Sequence, residues 1–334
     1  MERITLAHGS GGKKTYELIK GLFFRELGNE VLERTEDSAV VAVESGEIAF
    51  TTDSFVIKPV FFPGGDIGKL AICGTVNDLA VQGAEARYIS CGFIIEEGFS
   101  LEELERIVVS MASAANEAGV KIVAGDTKVV GRGEADGLFI NTSGIGVFTS
   151  ESRPSAGKIR AGHKVIVTGT LGDHGLAVLS KRKGLEFDTP LESDCAPLNG
   201  MLGALVRDVP GVDFMRDPTR GGLATTLNEA VRGTALGITL EEASIPVSDA
   251  VRGGCELLGL DPLYMANEGK AVMMVDPAAG KEVLAALRSC EYGREAAVIG
   301  EVTGENPGKV CVRTKYGVAR IIDMLTGEQL PRIC

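Results

Sequence analysis

The feature that most constrains the fold is the alternation, along the whole chain, of short apolar stretches with longer stretches of helical periodicity. Apolar residues at every second position favour a strand, whereas helical spacing favours an amphipathic helix. Their alternation favours a layered α/β or α+β architecture in both halves of the chain. The 334 residues correspond to about two domains of ordinary size. We place the domain boundary after residue 150, at the turn-forming segment 152–157.

The first half is predicted to combine helices with strands. Ser100 and Glu103 form a capping box, which predicts a helix that begins at Leu101 and ends at Gly119. The other predicted elements are a helix over 15–27, strands over 38–43, 47–52, 120–124 and 138–148, and a polar loop between the last two strands.

The second half continues the same alternation. Its predicted elements are strands over 164–168, 271–275, 297–299, 309–312 and 318–322, and a helix over about 223–231. Residues 324–334 include Gly327 and Pro331 and show no periodicity. We therefore expect a free C-terminal tail after the second domain.

Charge and apolar content exclude several classes of function. The net charge is −12, with most of the acidic excess in residues 1–150. An acidic surface repels nucleic acid, so we expect no nucleic-acid partner, and ATP would bind through divalent cations. No apolar run reaches the roughly 18 residues of a membrane span, and the N-terminal residues do not resemble a signal peptide. Seven cysteines without a CxxC pair are typical of a reducing cytoplasm.

The first candidate site is the glycine-rich segment from His8 to Lys13. Its consecutive backbone N–H groups can converge on an anion, with Ser10 and Lys13 as further donors. The segment lacks the GxxxxGK[ST] spacing of a phosphate-binding P-loop. Taken alone, it is better explained as an unstructured N-terminus than as an anion site.

Three aspartates form the second candidate site: Asp53, Asp78 and Asp126, each at the edge of a predicted apolar element. Carboxylates at the ends of elements can converge on one crevice and hold Mg²⁺ between themselves and a triphosphate. Asn77 and Lys128 adjoin two of them. Each aspartate alone is also a common turn or capping residue.

Two loops in the second half complete the candidate sites. Residues 215–225 place arginines around Gly221 and Gly222 before a predicted helix, which is a plausible cradle for a phosphate or carboxylate. Residues 266–270 place Glu268 in an apolar setting before a strand. That glutamate is either a proton acceptor or a turn residue.

These segments together resemble one superfamily of ATP-using enzymes over essentially the whole chain. The shared motifs are TTDSF at 51–55, GTVNDLAVQGA at 74–84, GDTK at 125–128, DPTRGGL at 217–223 and NEG at 267–269. The superfamily, called PurM-like, includes aminoimidazole ribonucleotide synthetase, selenophosphate synthetase and thiamine-monophosphate kinase. The motif HGSGG at 8–12 and the ending PRIC at 331–334 resemble its HypE family of hydrogenase maturation proteins.

The resemblance implies a reaction and its partners. HypE-like proteins receive a carbamoyl group from HypF on the thiol of their C-terminal cysteine, here Cys334. They use ATP to dehydrate it to a thiocyanate, and the cyano group passes to iron held by HypC–HypD. It also implies a homodimer whose N-terminal sheets pair into a barrel with the nucleotide nearby. The domains would be 1–150, 151–323 with α/β layers, and a flexible tail 324–334.

The resemblance also assigns roles to residues. Asp53, Asp78 and Asp126 would hold Mg²⁺ and the phosphates of ATP. Glu268 would accept the proton, with His8 as the alternative. The residues expected to assist are Thr52, Asn77 and Thr127 at the nucleotide, and Lys128 at the transferring phosphoryl group.

Position and length support a role for Cys334. Residues 326–334 can extend about 30 Å, which is comparable to a domain radius. A cysteine at the end of a tail has no packing role, and exposed thiols are prone to oxidation. Two other functions stay open from the sequence: a superfamily kinase or synthetase acting on a small molecule, and a non-catalytic carrier of a group bound to the tail.

Overall fold

Two separate sheets, each covered by helices, organise the chain. A computed structural model describes residues 12–18, 20, 39–43, 46–151, 153–185 and 190–325. Strands from the first half form one five-stranded sheet, and strands from the second half form one seven-stranded sheet. The alternation in the sequence therefore corresponds to mixed α/β layers in both halves.

The five-stranded sheet has the order β1-β2-β7-β5-β6. Only the β5–β6 pair is parallel, and the other pairs are antiparallel. The strands of this half, including the short hairpin β3–β4, are β1 Ala39–Val43, β2 Gly46–Phe55, β3 Phe61–Phe62, β4 Gly65–Asp66, β5 Ala84–Glu96, β6 Lys121–Val130 and β7 Leu138–Phe148.

Helices α2 and α3 cover one face of this sheet, which we call the inner face. After α1 (Lys13–Leu18), α2 spans Ile67–Val81 and α3 spans Leu101–Ala118. The Asp66 carboxylate caps α2 by accepting hydrogen bonds from two backbone N–H groups of its first turn, at 2.7 and 3.1 Å. Helix α2 is buried along nearly its whole length, because it lies between the sheet and the second half of the chain.

The seven-stranded sheet has the order β14-β13-β10-β12-β8-β11-β9. Its strands are β8 Lys164–Val167, β9 Val212–Arg216, β10 Gly237–Glu241, β11 Val272–Val275, β12 Ala297–Thr303, β13 Val310–Arg313 and β14 Ala319–Ile322. The helices of this half are α4 Asp173–Lys183, α5 Asn199–Asp208, α6 Gly222–Val231, α7 Asp249–Leu258 and α8 Gly280–Arg288. Helix α6 shares a core with one face of the sheet, and α5 and α8 share a core with the other face.

The structure confirms most elements predicted from the sequence. The capping box starts α3, where the Ser100 hydroxyl accepts a hydrogen bond from the Glu103 N–H at 3.4 Å. Gly119 ends the helix with a φ of 69°, in the left-handed region. Strands β1, β2, β7, β8, β11, β12, β13 and β14 and helix α6 lie where the sequence predicted them. The predicted helix over 15–27 lies mostly outside the described residues.

The prediction that the three aspartates lie at the edges of secondary-structure elements was wrong, because all three lie inside a strand or a helix. Asp53 is paired within β2, and Asp126 within β6, which continues to Val130 through the predicted polar loop. Asp78 lies in α2, a helix that the sequence analysis did not predict. Backbone pairing with the neighbouring strand carries β6 through its polar residues, so the apolar pattern alone ended it too early.

Within the described part of the chain, no helix combines the length and the apolar character that crossing a membrane requires.

The close contact between α2 and α3 generates a stability prediction. A methyl group at Gly68 would overlap the backbone carbonyl of Ile107 and lie 2.9 Å from its Cγ2 atom. We expect Gly68→Ala to lower the free energy of unfolding by about 1–3 kcal/mol, because overpacking forces the helices apart. Urea unfolding followed by circular dichroism measures this change, since the chain has no tryptophan.

Gly203→Ala in α5 is the matched control, because a methyl group there meets no atom within 4 Å. We expect it to be neutral or stabilising, as alanine favours a helix over glycine. Equal stability of the Gly68→Ala variant and wild type would contradict the described α2–α3 packing.

Candidate functional site

The side chain of Asn77 joins the two halves of the chain. Its amide donates hydrogen bonds to the carbonyl oxygens of Ala196 at 3.0 Å and Glu268 at 3.3 Å. Its carbonyl oxygen accepts one from the Leu198 N–H at 2.8 Å. Asn77 is 1% exposed, so all of these polar atoms depend on one another for hydrogen bonds. Helix α2 is thereby held against two loops of the second half.

A buried ion pair fixes the loop that carries Glu268. The Asp194 carboxylate accepts hydrogen bonds from the N–H groups of Glu268 at 3.1 Å and Gly269 at 3.3 Å. Lys270 Nζ lies 3.2 Å from the same carboxylate, whose side chain is 3% exposed. A side chain at Gly269 would overlap the Asp194 backbone, which explains the glycine of the NEG motif. This loop is therefore rigidly placed beside α2.

The adjoining loop, residues 217–222, leads into α6. The Asn267 side chain donates to the Pro218 carbonyl oxygen at 2.9 Å and ties the two loops together. Gly221 and Gly222 have φ values of 77° and 60°, which disfavour other residues. A Cβ atom at Gly222 would lie 2.5 Å from the Met265 carbonyl oxygen. The glycines of the DPTRGG motif thus permit a close backbone approach at the start of a helix.

Asp53, Asp217 and Arg220 form a charged group where this loop meets the first sheet. Burial raises the pKa of the Asp53 carboxyl, and the nearby Arg220 partly offsets that effect. Burial also raises the pKa of Asp217, to about 6. The positive charge of Arg216 acts in the opposite direction, and the charge of Asp53 raises the pKa of Asp217 further. Two buried carboxyl groups that resist ionisation, next to an arginine, suit the binding of a cation together with an anion.

Asp78 and Thr51 lie on the same side of the sheet as this group. The Thr51 hydroxyl donates to the Asp78 carboxylate at 2.7 Å and links α2 to β2. The inner face therefore holds four of the predicted residues: Asp53, Asn77, Asp78 and Glu268.

Asp126, Lys128 and Thr52 lie on the opposite face of the sheet, which we call the outer face. Asp126 pairs with Gly92 in β5, and Gly92 pairs with Asn141 in β7. Alternation along the strands puts these positions on the exposed side. Lys128 Nζ lies 2.7 Å from the Asp126 carboxylate, and this hydrogen-bonded cation lowers the pKa of Asp126. One copy of the chain therefore does not bring the three aspartates into one crevice.

Thr52 and Thr127 make local contacts on the first sheet. The Thr52 hydroxyl donates to the Thr142 carbonyl oxygen at 3.1 Å and accepts from Ser143 at 2.8 Å. The Thr127 N–H donates to the Asp126 carboxylate at 2.9 Å. The other two predicted residues, His8 and Cys334, lie outside the described residues.

Glu268 is 5% exposed, and its charge acts on the buried thiol of Cys195. The hydrogen bond between Cys195 and Cys73 is the largest cause that raises the pKa of Cys195, followed by burial and then by contributions that include Glu268. Glu268 therefore faces the seam between α2 and the 194–198 loop. The burial of Glu268 at this seam favours a specific role for its side chain over that of a simple turn residue.

His174 is a further titratable group at this junction. Its Nδ1 atom lies 2.7 Å from the Ser193 hydroxyl, and its ring packs edge-on against Phe62. Burial lowers the pKa of His174 to about 4, so the imidazole is neutral at pH 7. Its Nε2 atom is buried and has no hydrogen-bond partner among the described residues.

The described side chains contain no group of three or more histidine, cysteine, aspartate or glutamate residues arranged to hold a metal ion. Mg²⁺, however, is often bound by one or two carboxylates together with phosphate oxygens and water. Asp53 and Asp217 fit that mode, because both carboxyls carry raised pKa values and a bound cation would offset their charge. The inner face is therefore compatible with a cation that arrives with its nucleotide.

Sequence reasoning missed several residues of this site. Asp217 and Arg220 lie in a loop that the sequence did indicate as an anion cradle, so the motif contained the signal. The Asp194–Lys270 pair gave no signal, because the two residues are far apart in sequence and meet only in the folded chain.

The raised pKa of Asp217 predicts a specific pH dependence. An aspartate titrates near pH 3.9 in an unfolded chain and near pH 6 here, so between these values the folded state holds more protons. Stability therefore falls as the pH rises from about 4 to about 6. Asp217→Asn removes this loss. We therefore expect the substitution to have a more favourable effect on the free energy of unfolding of the nucleotide-free protein at pH 7 than at pH 4, by up to about 3 kcal/mol.

Urea unfolding at both pH values measures the difference. Asp208→Asn, which replaces an exposed carboxylate, is the control. A pH dependence of the Asp217→Asn variant identical to that of wild type would refute the burial of this charge.

Two family models match the chain. The model described as AIR synthase related protein, N-terminal domain, matches residues 35–148, and that of the C-terminal domain matches residues 160–313. The protein named carbamoyl dehydratase HypE from Bradyrhizobium diazoefficiens is 52% identical, over 99% of this chain and 96% of that protein.

Solved structures agree with these matches. The chain superposes on a HypE in the crystal structure of a HypE–HypF complex with a TM-score of 0.87 and 47% identity, covering 92% of this chain and 99% of that one. It superposes on HypE in complex with ATP with a TM-score of 0.84 and 47% identity, covering 99% and 100%. The chain therefore belongs to the AIR synthase related proteins and, within them, to the HypE family.

Proposed function

We propose that this chain is an ATP-dependent carbamoyl dehydratase that converts the S-carboxamide on its own Cys334 to a thiocyanate. The product supplies the cyanide ligand for NiFe-hydrogenase maturation. The observation that carries the proposal is 52% identity, along 99% of the chain, to a relative named carbamoyl dehydratase HypE. The charged group of Asp53, Asp217 and Arg220 supports it, because phosphoryl transfer depends on positioning and on offsetting negative charge.

The chemistry has two steps. An amide oxygen is a poor leaving group, so the γ-phosphoryl group of ATP is first transferred to the carbonyl oxygen of the carboxamide, and ADP leaves. The phosphate then departs with that oxygen as the carbon–nitrogen bond becomes a nitrile. The nitrogen gives up its two protons, one in each step. The net result is the loss of one water and the hydrolysis of one ATP.

The inner-face residues hold the nucleotide in this proposal. Asp53 and Asp78 bind Mg²⁺ and the phosphates, Asp217 and Arg220 complete the charged group, and Asn77 keeps the neighbouring loops in place. When bound, the metal offsets the charge of the phosphates. Glu268 accepts a proton from the carboxamide nitrogen, and its buried position suits a base that works away from bulk water. His8 is the alternative base.

The outer face serves a homodimer in this proposal. Apolar side chains are exposed on the first sheet, among them Phe50, Tyr88 and Ile94 at 42%, 49% and 43%. Pairing of two such sheets into a barrel would bury them. It would also place Asp126, Lys128 and Thr52 at an interface between copies, where they assist the nucleotide and the transferring phosphoryl group. The neighbouring Thr127, whose position in β6 alternates to the inner face, would assist at the nucleotide from that side.

Two further partners follow from the reaction. The HypE–HypF complex supports a HypF-like carbamoyltransferase as the donor of the carbamoyl group. A HypC–HypD complex is the proposed acceptor of the cyano group. We assign ATP binding and dimerisation to residues 1–150, the second α/β domain to residues 151–323, and the delivery of Cys334 to the C-terminal tail over 324–334.

Asp126 tests the contribution of the outer face. We expect Asp126→Asn to keep the fold and to weaken the Mg²⁺-dependent binding of ATP about tenfold, or about 1.4 kcal/mol. The reason is the loss of a carboxylate from the proposed interface site. Calorimetric titration with ATP, with and without Mg²⁺, measures the effect.

Asp136→Asn is the matched control, since Asp136 is an exposed carboxylate that also pairs with a lysine, Lys58 at 2.8 Å. Unchanged ATP affinity and unchanged metal dependence in the Asp126→Asn variant would remove Asp126 from the site.

Cys334 tests the proposed function itself. Cys334→Ala should abolish carbamoylation and dehydration and leave the thermal stability unchanged, whereas Cys290→Ala, at a half-buried thiol, should retain both reactions.

Insertion of one glycine after Ile333 should impair dehydration more than carbamoylation, because transfer requires a reacting distance of about 3–3.5 Å. Mass spectrometry of the intact chain measures both steps.

Full substrate-dependent ATP turnover by the Cys334→Ala variant would instead favour a kinase or synthetase that acts on a small molecule. Wild-type rates of both steps after the glycine insertion would show that the tail is not held in register.

A further inference from the structure

The chain does not leave the second domain freely after its last strand. Four consecutive residues, Ile322 to Leu325, are each held by a different part of the molecule. The Asn228 amide of α6 donates to the Ile322 carbonyl oxygen at 3.0 Å, and Asn228 is 4% exposed. The Tyr264 hydroxyl donates to the Asp323 carbonyl oxygen at 2.9 Å. Both contacts hold the main chain, so they fix its course.

The next two residues are held by the N-terminal segment and by the residue that follows α6. Met324 is 4% exposed, and Arg232 Nη1 lies 3.1 Å from its sulfur atom. The Arg232 guanidinium stacks on the Tyr16 ring, 4.2 Å from the centroid. The Lys13 N–H donates to the Leu325 carbonyl oxygen. The start of the tail thus lies between α1 and α6.

Gly12 is required for this arrangement. A methyl group at Gly12 would overlap the Leu325 carbonyl oxygen and lie 2.9 Å from the Leu325 Cβ atom. Gly12 is the last glycine of the N-terminal glycine-rich segment, whose purpose the proposed reaction leaves partly unexplained. Its close approach to Leu325 gives this glycine a packing role at the tail.

The anchoring turn and the candidate site belong to one stretch of chain. Tyr264 ends the short turn Pro262–Tyr264, and Glu268 follows four residues later, within about 14 Å even if the chain is fully extended. Residues 326–334 can span about 30 Å from Leu325. The tail is therefore long enough to reach the site from its anchor and still to reach outward.

We propose that residues 322–325, together with Gly12, Lys13, Asn228, Arg232 and Tyr264, form a clamp that positions the tail for dehydration; this inference rests on the proposed function. Fixing one end of a short segment beside the site raises the effective concentration of the group at its other end. Gly12, Arg232 and Tyr264 are positioning residues. They act on the tail and not on the reacting atoms.

The test compares a tail in its own chain with the same tail supplied separately. In the first format, the carbamoylated full-length chain is mixed with Mg²⁺ and ATP, and water loss is followed by mass in a single turnover. In the second, the full-length Cys334→Ala variant acts on a synthetic peptide with the sequence of residues 326–334 and an S-carboxamide on its cysteine. Only the first format needs the clamp.

We expect Tyr264→Phe and Gly12→Ala each to slow dehydration of the attached tail about tenfold. Tyr264→Phe should leave kcat for the separate peptide unchanged. The matched controls are Tyr316→Phe, at a side chain that is 81% exposed, and Gly253→Ala, where a methyl group meets no atom within 4 Å. Both controls should behave as wild type in both formats.

Two results would overturn the clamp while the proposed function stands. One is an unchanged rate for the attached tail in both variants. The other is an equal loss in both formats, which means that the site itself was damaged. If the wild-type chain removes no water in the first format, the proposed function fails, and the clamp fails with it.

Discussion

The buried amide of Asn77 links helix α2 of the first half to the loops of the second half that carry the candidate site. Its three hydrogen bonds reach backbone atoms of two separate loops in the second half. In a buried setting, each atom left without its partner costs about 1–3 kcal/mol. The first sheet, α2 and the two loops therefore form one structure, and the charged group of Asp53, Asp217 and Arg220 lies where they meet.

Burial at this junction also sets the electrostatics of the site. Carboxyl groups removed from water resist ionisation, which raises the pKa values of Asp53 and Asp217. The opposite charges of Asp194 and Lys270 balance each other in their buried ion pair, and this pair positions the Glu268 loop. The junction thus combines a balanced ion pair that holds the loop with an excess of negative charge that favours a cation. A nucleotide carrying its metal ion complements this arrangement.

The sequence predicted the layered fold and most strands, because apolar periodicity and caps are local signals. It also identified the motifs that carry Asp53, Asn77, Asp78 and Glu268, which the structure brings to one side of the first sheet. It could not place Asp126 and Lys128 on the other side, since the face of a residue depends on strand register and not on its motif. Helix α2 was missed because it is apolar nearly all around, which hides helical periodicity.

The central claim is that the chain uses ATP to dehydrate a carboxamide on its own tail. The most direct test is the mass of the intact chain after incubation with the carbamoyl-transferring partner, then with Mg²⁺ and ATP. The account predicts the gain of one carbamoyl group, followed by the loss of one water only with hydrolysable ATP. Retention of the carbamoyl group without water loss, while ATP is hydrolysed, would contradict it.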